Sequence, residues 1–397
     1  MSLALRQQLS IFETEEIQQE KAVEYSFVLG VPIYADEFWT AKQRQANSIH
    51  EISYRACYKP QLPEFFINKY SNEQDVVYDP FSGRGTTAIQ AGLMNRNVVA
   101  NDINPLSKIL TRSRFFVPSV LEIKKRLDEI PFVDKKADID LSMFFNEETE
   151  KEIVSMREYF ANKECDFVDN WIKMVATNRL TGHSKGFFSV YTLPPNQAAK
   201  PERQVKINEK YKNVFEYRNT KDIIIKKSAQ LIKDINFAMR KQLKKIGEDG
   251  IFISENANNT PQIKDNSVDL IITSPPFLDI VDYAGDNWLR NWFNNIEIPE
   301  LTIVKKTEQW EYEMGKCFDE FKRILKKNGK IAFEVGEVRN GKVALDENVV
   351  KIGKSAGLKP ICVYKNEQSF TKTANIWGVS NNEDGTNSNR IVVFEKE

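Results

Sequence analysis

The chain of 397 residues is 41% hydrophobic and 11% aromatic, which indicates a globular protein with one large domain or two modest ones. Its 56 basic residues equal its 56 acidic ones, so the net charge does not identify it as a nucleic-acid binder. No segment has the ~18 consecutive apolar residues of a membrane span, and the N-terminus is too charged for a secretory signal, so a cytoplasmic protein without a membrane partner is expected.

The first expected element is a mostly helical segment over residues 1–74, which ends in YRACYKPQLPEFFINKYS. Residues 75–118 then alternate between strand and helix, in the order VVYD, a glycine-rich turn, TTAIQAGLMN, VVAND and PLSKILTR. Such alternation is typical of a parallel sheet whose strands are joined by crossover helices.

Residues 119–249 show few strand signals and are predicted to be a helical insertion. Apolar residues from Ile224 to Ile246 recur at helical spacing, which predicts one long amphipathic helix. Between Lys200 and Ile246 there are fourteen lysines and arginines but five acidic residues, a pattern typical of a phosphate-contacting or DNA-reading surface. A solvated helix is the alternative. The candidate DNA-backbone contacts are Lys241, Lys244 and Lys245.

Residues 250–397 return to the alternation of strands and helices. Seven strands are predicted in total, at residues 76–79, 98–102, 251–254, 268–273, 330–335, 361–365 and 390–395. They are continuous apolar runs, as expected of strands covered by helices on both faces. The expected fold class is α/β, a doubly wound, seven-stranded Rossmann-like sheet built from residues 75–118 and 250–397. The last two strands can pair as a hairpin.

The stretch VVYDPFSGRGTT places Asp79 at a strand end, followed by Gly83 and Gly85 and then a helix. Such a turn lets the backbone approach a ligand closely, although a tight structural turn explains the glycines alone equally well. The spacing matches neither the dinucleotide-binding nor the P-loop motif. Asp102, at the end of the next strand, can bind ribose hydroxyls, and Asp79 can pair with an ammonium group. The two acids together suit a nucleoside with a cationic amino-acid tail, such as S-adenosylmethionine.

The apolar run VDLIITSPPF closes a strand with a serine and two prolines, which hold the backbone rigid. If this strand adjoins the one that ends in Asp79, both strand ends face the same ligand. The Ser274 hydroxyl and the Pro275 carbonyl can then accept hydrogen bonds from one planar amino group, which frees its nitrogen lone pair to attack an electrophilic methyl group. Phe277 offers a stacking face for a base. A proline-rich strand terminator is the alternative for SPP alone.

Together, DPFSGRGTT and TSPPF resemble the cofactor and catalytic motifs of the amino-group DNA methyltransferases, which modify cytosine N4 or adenine N6. YRACYKPQLPEFFI is similar to the segment that helps cover the methionine end of the cofactor in this family, so residues 1–74 are expected to cover the cofactor site. TGHSKGFFSVYTLPPNQ and SPPFLDIVDYAGDNWLRNWF resemble a bacterial subgroup of site-specific methylases, and the resemblance covers nearly the whole chain.

The resemblance implies particular roles for residues at the strand ends. The expected cofactor-binding residues are Tyr54, Asp79, Pro80, Phe81, Gly83, Gly85, Thr86, Thr87, Asp102, Ile103 and Asn256, the last in place of the more usual acid. The expected catalytic residues are Ser274, Pro275, Pro276 and Phe277, and Tyr283 is the candidate for the pocket that receives the base. No metal site is expected, because the four cysteines are far apart and include no CxxC pair.

Serine at the first position of the catalytic motif is typical of cytosine-N4 enzymes, whereas aspartate or asparagine is typical of adenine-N6 enzymes. The resemblance therefore favours methyl transfer from S-adenosylmethionine to N4 of a cytosine flipped out of duplex DNA. Carbon-5 methylation is not expected, because it needs a cysteine nucleophile and the chain has no Pro-Cys pair. An adenine-N6 enzyme, an RNA amino-methylase and a catalytically silent DNA-binding subunit stay open as alternatives.

Double-stranded DNA is the expected partner, and a companion restriction endonuclease is the further partner that a restriction-modification system implies.

Two features of the sequence depart from the pattern of the family. The cofactor turn precedes SPPF, unlike the commonest order in cytosine-N4 enzymes, and the insertion at 119–249 lies where few relatives carry a recognition region. Its assignment to DNA reading therefore rests on its charge.

Overall fold

The computed structural model describes residues 26–39, 46–276, 283–297, 306–335, 345–366 and 389–397. Within these ranges, nine strands form one sheet. The strands are β1 (Ser26–Val28), β2 (Val31–Asp36), β3 (Val76–Asp79), β4 (Asn97–Asn101), β5 (Ile251–Ile253), β6 (Val268–Thr273), β7 (Leu325–Val335), β8 (Lys359–Asn366) and β9 (Asn389–Glu395). Their order across the sheet is β1-β2-β8-β9-β7-β6-β3-β4-β5.

The centre of the sheet is parallel. Strands β7, β6, β3, β4 and β5 run in one direction, and β9 is antiparallel to both of its neighbours, β7 and β8. The seven predicted strands are all confirmed, as is the antiparallel pairing of the last two. From β3 the chain passes to β4 and β5 on one side and then returns to β6 on the other. This reversal of strand order opens a crevice at the carboxyl ends of β3 and β6, where α/β sheets bind ligands.

The described part of the N-terminal segment, residues 26–39 and 46–74, contains strands as well as helix, whereas mostly helical structure was predicted for residues 1–74. Strands β1 and β2 form an antiparallel hairpin, and β2 extends the sheet by pairing in parallel with β8. The hairpin turn is Leu29-Gly30, and both residues have positive φ angles, of 50° and 81°. Two successive positive φ angles match the right-handed twist of a tight hairpin, so the glycine at the second position favours this turn over a helix.

Helices cover both faces of the sheet. In the described ranges they are α1 (Gln61–Tyr70), α2 (Thr86–Leu93), α3 (Leu106–Arg112), α4 (Val120–Glu129), α5 (Glu147–Ala161), α6 (Phe167–Arg179), α7 (Pro201–Tyr211), α8 (Thr220–Ile232), α9 (Phe237–Asp249), α10 (Tyr283–Asp286), α11 (Trp288–Asn294), α12 (Thr307–Ile324) and α13 (Leu345–Ser355). Side chains of α12 and α13 form one apolar cluster with the sheet, and those of α1, α2 and the insertion form another. Over the same ranges, none of these helices is both long and apolar enough to cross a bilayer.

The insertion is helical, but the single long helix predicted between Ile224 and Ile246 is two helices. Helix α8 ends at Ile232, and α9 begins after Asn236, whose side chain accepts a hydrogen bond from the Met239 amide at 2.9 Å. An asparagine that satisfies a free amide in this way starts a new helix, and apolar spacing alone does not reveal the break. The residues between the two helices dock on the segment before the glycine turn, where Asp234 accepts a hydrogen bond from the Ser48 amide at 3.0 Å.

Candidate active site

The glycine turn lies between β3 and α2. Gly83 and Gly85 have φ angles of +52° and +77°, in the left-handed region that favours glycine. A Cβ atom at Gly85 would collide with the side chain of Thr111, while Gly83 faces the ring of Tyr54. The turn therefore needs both glycines, and the structure places the predicted residue Tyr54 against it.

Asp79 is buried at the end of β3 and is held by neutral donors. Its carboxylate accepts hydrogen bonds from the Thr273 hydroxyl at 2.7 Å, the Tyr58 hydroxyl at 3.1 Å and the Phe81 amide at 3.2 Å. Burial raises the pKa of Asp79 to about 6, although these hydrogen bonds oppose the shift. Among the residues that the structure describes, none supplies a positive charge within ion-pair distance of this carboxylate. A buried carboxylate normally has a positively charged partner, and a cationic ligand would supply one here.

Asp102 follows β4 and faces the same turn. It accepts hydrogen bonds from the Gly83 amide at 2.8 Å and from the Asn104 amide at 2.9 Å. Desolvation raises the pKa of Asp102 to about 6. The adjacent Ile103 is 40% exposed, so it leaves an apolar surface beside the carboxylate. The Asp102 carboxylate can accept hydrogen bonds from a diol, and the adjacent Ile103 side chain can pack against a flat ring.

The remaining predicted cofactor residues surround this turn. The Pro80 carbonyl accepts a hydrogen bond from Asn101 at 3.2 Å, the Thr86 hydroxyl accepts one from Arg84 at 3.1 Å, and the Thr87 hydroxyl hydrogen-bonds with Tyr58. Asn256 is exposed after β5, where its side chain accepts a hydrogen bond from the Asn258 amide at 3.2 Å.

Several buried hydroxyl groups near these residues have no hydrogen-bond partner, and two of them are on serines that follow strands of the sheet. These two hydroxyls belong to Ser82, within the glycine turn, and to Ser254, which follows β5. Buried polar atoms are normally paired, so unpaired ones at the carboxyl edge of the sheet indicate where a ligand would supply the partner. No group of three or more potential metal-ligating side chains occurs in the described ranges.

The Ser-Pro-Pro corner directly follows β6, the strand beside β3. Because β3 and β6 are parallel neighbours, their carboxyl ends lie at the same edge of the sheet, and the Thr273–Asp79 hydrogen bond joins them. Ser274 is half-buried, Pro275 is buried and Pro276 is exposed. The Pro276 carbonyl accepts a hydrogen bond from the Trp310 indole at 3.3 Å, which fixes the corner. The structure thus brings the two predicted motifs together in one crevice.

Glu334, on the neighbouring strand β7, is a site residue that the sequence analysis missed. It is buried, and its carboxyl group hydrogen-bonds with the Ser274 side chain. Burial raises the pKa of Glu334 to about 7. The available signal was a single glutamate inside the apolar run KIAFEV, because a buried acid in a central strand is costly unless it has a purpose. Tyr58 and Thr273, which hold Asp79, were also missed.

Three predicted regions are only partly described or lie apart from the crevice. Phe277 lies outside the described residues, and Tyr283 begins α10, although its side chain is not described. The last predicted set is on the exposed face of α9, on the flank of the sheet; its members are Lys241, Lys244 and Lys245.

Arg114 fixes the back of the glycine turn. Its buried guanidinium donates hydrogen bonds to the carbonyls of Leu110 at 2.9 Å, Ile49 at 3.1 Å and Arg84. Burial and the nearby Arg84 lower the pKa of Arg114 to about 9, so it stays protonated at neutral pH. The side chain therefore ties together the turn, the helix α3 and the segment that precedes α1.

We expect Arg114→Leu to lower the free energy of unfolding by about 3 kcal/mol or more, because three buried carbonyls lose their donor. Denaturant titration followed by circular dichroism measures the change. The control is Arg112→Leu, because the exposed Arg112 only stacks on the Phe116 ring at 4.9 Å and should contribute under about 1 kcal/mol. Equal losses in the two variants would contradict the role of Arg114.

Comparison with known proteins finds similarity to DNA methylases. A family model for DNA methylases, of the N6/N4 methyltransferase type, matches residues 14–109, which include the glycine turn and Asp102. Type II methyltransferase M.BsoBI of Geobacillus stearothermophilus is 25% identical over 294 residues, covering 66% of this chain and 57% of that protein. Type II methyltransferase M.MjaII of Methanocaldococcus jannaschii is 30% identical over 112 residues, covering 27% of this chain and 21% of that protein. The matches thus span about half of the first relative and a fifth of the second.

Solved structures resemble the chain more distantly. The rRNA methyltransferase aviRa from Streptomyces viridochromogenes is 10% identical, with 90% of this chain and 93% of that chain covered and a TM-score of 0.36. Since this score is low, the fold assignment rests on the strand order of the chain itself.

Proposed function

We propose that the chain is a site-specific DNA methyltransferase that methylates the exocyclic N4 of cytosine with S-adenosylmethionine, and its similarity to DNA methylases of the N6/N4 type supports this proposal. The observation that carries this proposal is the meeting of the Asp79 turn and the Ser274 corner at adjacent strand ends, joined by the 2.7 Å hydrogen bond from Thr273. A methyl donor held at the first motif and an amine held at the second share one crevice.

S-adenosylmethionine would supply partners for polar groups of the site that have none within the described residues. Asp79, buried without a cation, would hold the ammonium group of S-adenosylmethionine, and Asp102 would hold its ribose. Ile103 would pack against the adenine, and the unpaired hydroxyls of Ser82 and Ser254 lie in the same region. When bound, S-adenosylmethionine supplies an electrophilic methyl group attached to a positively charged sulfur.

Ser274 and Pro275 would position the target amine. A hydroxyl group has one proton, and the bond with Glu334 uses it when Glu334 is ionised, so the Ser274 oxygen keeps its lone pairs for the amine. The Pro275 carbonyl supplies the second acceptor. Two fixed acceptors draw the amine hydrogens out of the ring plane, which makes the nitrogen lone pair available for attack.

Glu334 would also take part in the proton balance. Methylation of the amine leaves a positively charged nitrogen that must lose one proton. That proton can pass to the Ser274 oxygen as the Ser274 proton passes to Glu334, whose pKa of about 7 suits a proton acceptor near neutral pH. Glu334 acts through Ser274 and is therefore a positioning residue rather than a group that touches the base.

The pH dependence of the rate tests this role of Glu334. We expect kcat to rise as the pH increases through about 7, because burial raises the pKa of Glu334 to that value and only the ionised form accepts the Ser274 proton. Glu334→Gln should lower kcat by about 10²-fold and remove this titration. The control is Glu395→Gln, in the adjacent strand β9, where Glu395 pairs with Lys330 at 3.3 Å. A wild-type titration that persists in Glu334→Gln would contradict the assignment.

The choice of cytosine N4 rests on the serine at position 274, which resembles the cytosine-N4 enzymes, where adenine-N6 enzymes have aspartate or asparagine. Duplex DNA hides the amine, so the base must leave the stack to reach Ser274. An adenine-N6 enzyme would use the same corner and the same cofactor site, which makes it the second candidate.

Sequencing for modified bases tests the proposal in cells. Plasmid DNA from a host that expresses the chain should contain N4-methylcytosine in one short sequence context, and plasmid from cells with the Ser274→Ala variant should not. N6-methyladenine in a single context would replace the cytosine assignment by the second candidate. Unmodified DNA in both cases would favour a catalytically silent DNA-binding subunit.

A further inference from the structure

A surface beside the catalytic corner has the composition of a nucleic-acid contact. It comprises residues 183–218, here called the basic aromatic arm, and includes an exposed tip at 183–186, helix α7 and a return segment at 212–218. The arm has seven lysines and arginines but three glutamates. One of these, Glu216, already pairs with Lys185 at 3.2 Å. The arm therefore carries a net positive charge within a chain that is neutral overall.

Helix α7 packs against the protein far less than the other long helices. Gln204 is the one buried residue among its eleven. Polar contacts hold the helix in place: Gln204 donates to the Tyr191 carbonyl at 3.0 Å and Asn208 donates to the Met143 carbonyl at 2.8 Å. A helix that buries so little gains little from packing, so its exposed face is available for a partner.

Exposed apolar and aromatic side chains alternate with cations along the arm. The rings of Tyr191 and Tyr211 lie 4.6 Å apart, and Tyr211 is 50% exposed. The nearby Val214 is 72% exposed. Lys210 lies over the Tyr211 ring at 5.3 Å. Within the described ranges, no acidic group lies within 4 Å of three exposed cations, which are Lys206, Lys210 and Lys212.

The base of the arm is fixed to the helices that follow the Ser-Pro-Pro corner. The Ala198 amide donates to the Asp286 carbonyl at 2.9 Å, and the Trp288 indole donates to the Ala199 carbonyl at 3.1 Å. Arg55 donates a hydrogen bond to the Gln197 side chain at 3.0 Å, and it follows Tyr54, whose ring faces Gly83. These contacts place the base of the arm next to the segment that faces the glycine turn.

The lysines of α9 lie elsewhere. Helix α9 packs on α2 through Leu243 and ends at Asp249, where β5 begins at Ile251. Its last turns, with Lys244 and Lys245, therefore lie towards the amino ends of the strands, opposite the catalytic corner. Lys244 also pairs with Glu248 at 3.7 Å.

We propose that the basic aromatic arm, rather than the lysine face of α9, holds duplex DNA against the catalytic corner. Its free lysines contact backbone phosphates, and the Tyr191–Tyr211 pair contacts bases or sugars of the strand that is opened for base extrusion. This inference rests on the proposed function and adds the surface by which the enzyme binds its substrate.

The test compares two charge-reversal variants with equal changes in net charge. The arm variant carries Lys206→Glu, Lys210→Glu and Lys212→Glu. The flank variant carries Lys241→Glu, Lys244→Glu and Lys245→Glu. Fluorescence anisotropy with a labelled duplex of plasmid sequence, at several salt concentrations, gives the Kd and its salt slope.

The arm variant should bind DNA at least about 10-fold more weakly, with a salt slope smaller by about 2 to 3, because three phosphate contacts are lost. The flank variant should match the wild type. Unchanged binding by the arm variant, or an equal loss in both variants, would overturn the proposal. All six lysines are exposed, and an unchanged Kd for S-adenosylmethionine confirms that each variant is folded.

A third variant, Tyr211→Ala, tests the aromatic contact. It should lower kcat/KM for DNA about 10-fold while the Kd of S-adenosylmethionine stays constant. Sedimentation of the same proteins tests the alternative that the arm binds a second copy of the chain. A shift from a larger to a smaller oligomer in Tyr211→Ala would assign the arm to contacts between copies of the chain and overturn the proposal. A wild-type protein that methylates no DNA would overturn the proposed function, whereas wild-type methylation with unchanged arm variants would overturn the arm alone.

Discussion

Replacing Ser274 by alanine is expected to lower kcat for DNA methylation by about 10²- to 10³-fold, the loss typical of one preorganised hydrogen-bonding group. The variant removes the acceptor that draws an amine hydrogen out of plane and breaks the link to Glu334. The Kd of S-adenosylmethionine should change less than about twofold, because the groups that would hold it belong to β3 and β4. Single-turnover rates with labelled cofactor measure the effect on the chemical step.

The matched control is Ser267→Ala. Ser267 precedes the same strand at its opposite end, where its hydroxyl donates to the Lys264 carbonyl at 2.6 Å. This variant should retain the wild-type rate. If Ser274→Ala also retained it, the Ser-Pro-Pro corner would be a strand terminator, and the account of amine activation would fail.

Asp79→Asn is expected to weaken S-adenosylmethionine binding by about 10- to 100-fold, the range for losing a charged hydrogen-bonding partner. The asparagine oxygen can still accept the hydrogen bond from Thr273, and its amide nitrogen can donate to the Tyr58 hydroxyl, so the strand ends should stay joined while the negative charge is lost. Isothermal titration calorimetry measures the Kd directly.

The same titration has a pH signature. Burial raises the pKa of Asp79 and that of Asp102 to about 6, so both carboxyls gain protons as the pH falls through 6. A protonated carboxyl no longer attracts a cation, and wild-type affinity should therefore fall below pH 6, less steeply in Asp79→Asn. Asp75→Asn is the control, because Asp75 lies at the other end of β3 and accepts a hydrogen bond from the Asn72 amide. Wild-type affinity in Asp79→Asn would refute the ammonium assignment.

The central fold was predictable because its signals are local. Each parallel strand is a continuous apolar run, and the residues that end β3 and β6 are those that chemistry requires at a strand end: an acid before two glycines, and a serine before two prolines. Given a doubly wound sheet, their juxtaposition follows from strand order.

What the sequence did not reveal depends on contacts between distant segments. Glu334 is one acid within an apolar strand, and its relation to Ser274 appears when β7 pairs with β6. The hairpin at Leu29 and Gly30 is stabilised by a parallel partner more than 300 residues away in the sequence, at Val363. Charge counts over the insertion identified a basic region, but the placement of α7 near the crevice and of α9 on the flank depends on tertiary packing.

The identity of the methylated nucleoside tests cytosine-N4 methylation at the Ser274 corner most directly. The purified chain is incubated with duplex DNA and S-adenosylmethionine that carries a deuterated methyl group, and the DNA is digested and separated by chromatography coupled to mass spectrometry. We expect deuterated N4-methyl-2′-deoxycytidine in the wild-type reaction and its loss with Ser274→Ala. Deuterium in N6-methyl-2′-deoxyadenosine, in 5-methyl-2′-deoxycytidine, or in no nucleoside at all, would contradict cytosine-N4 methylation.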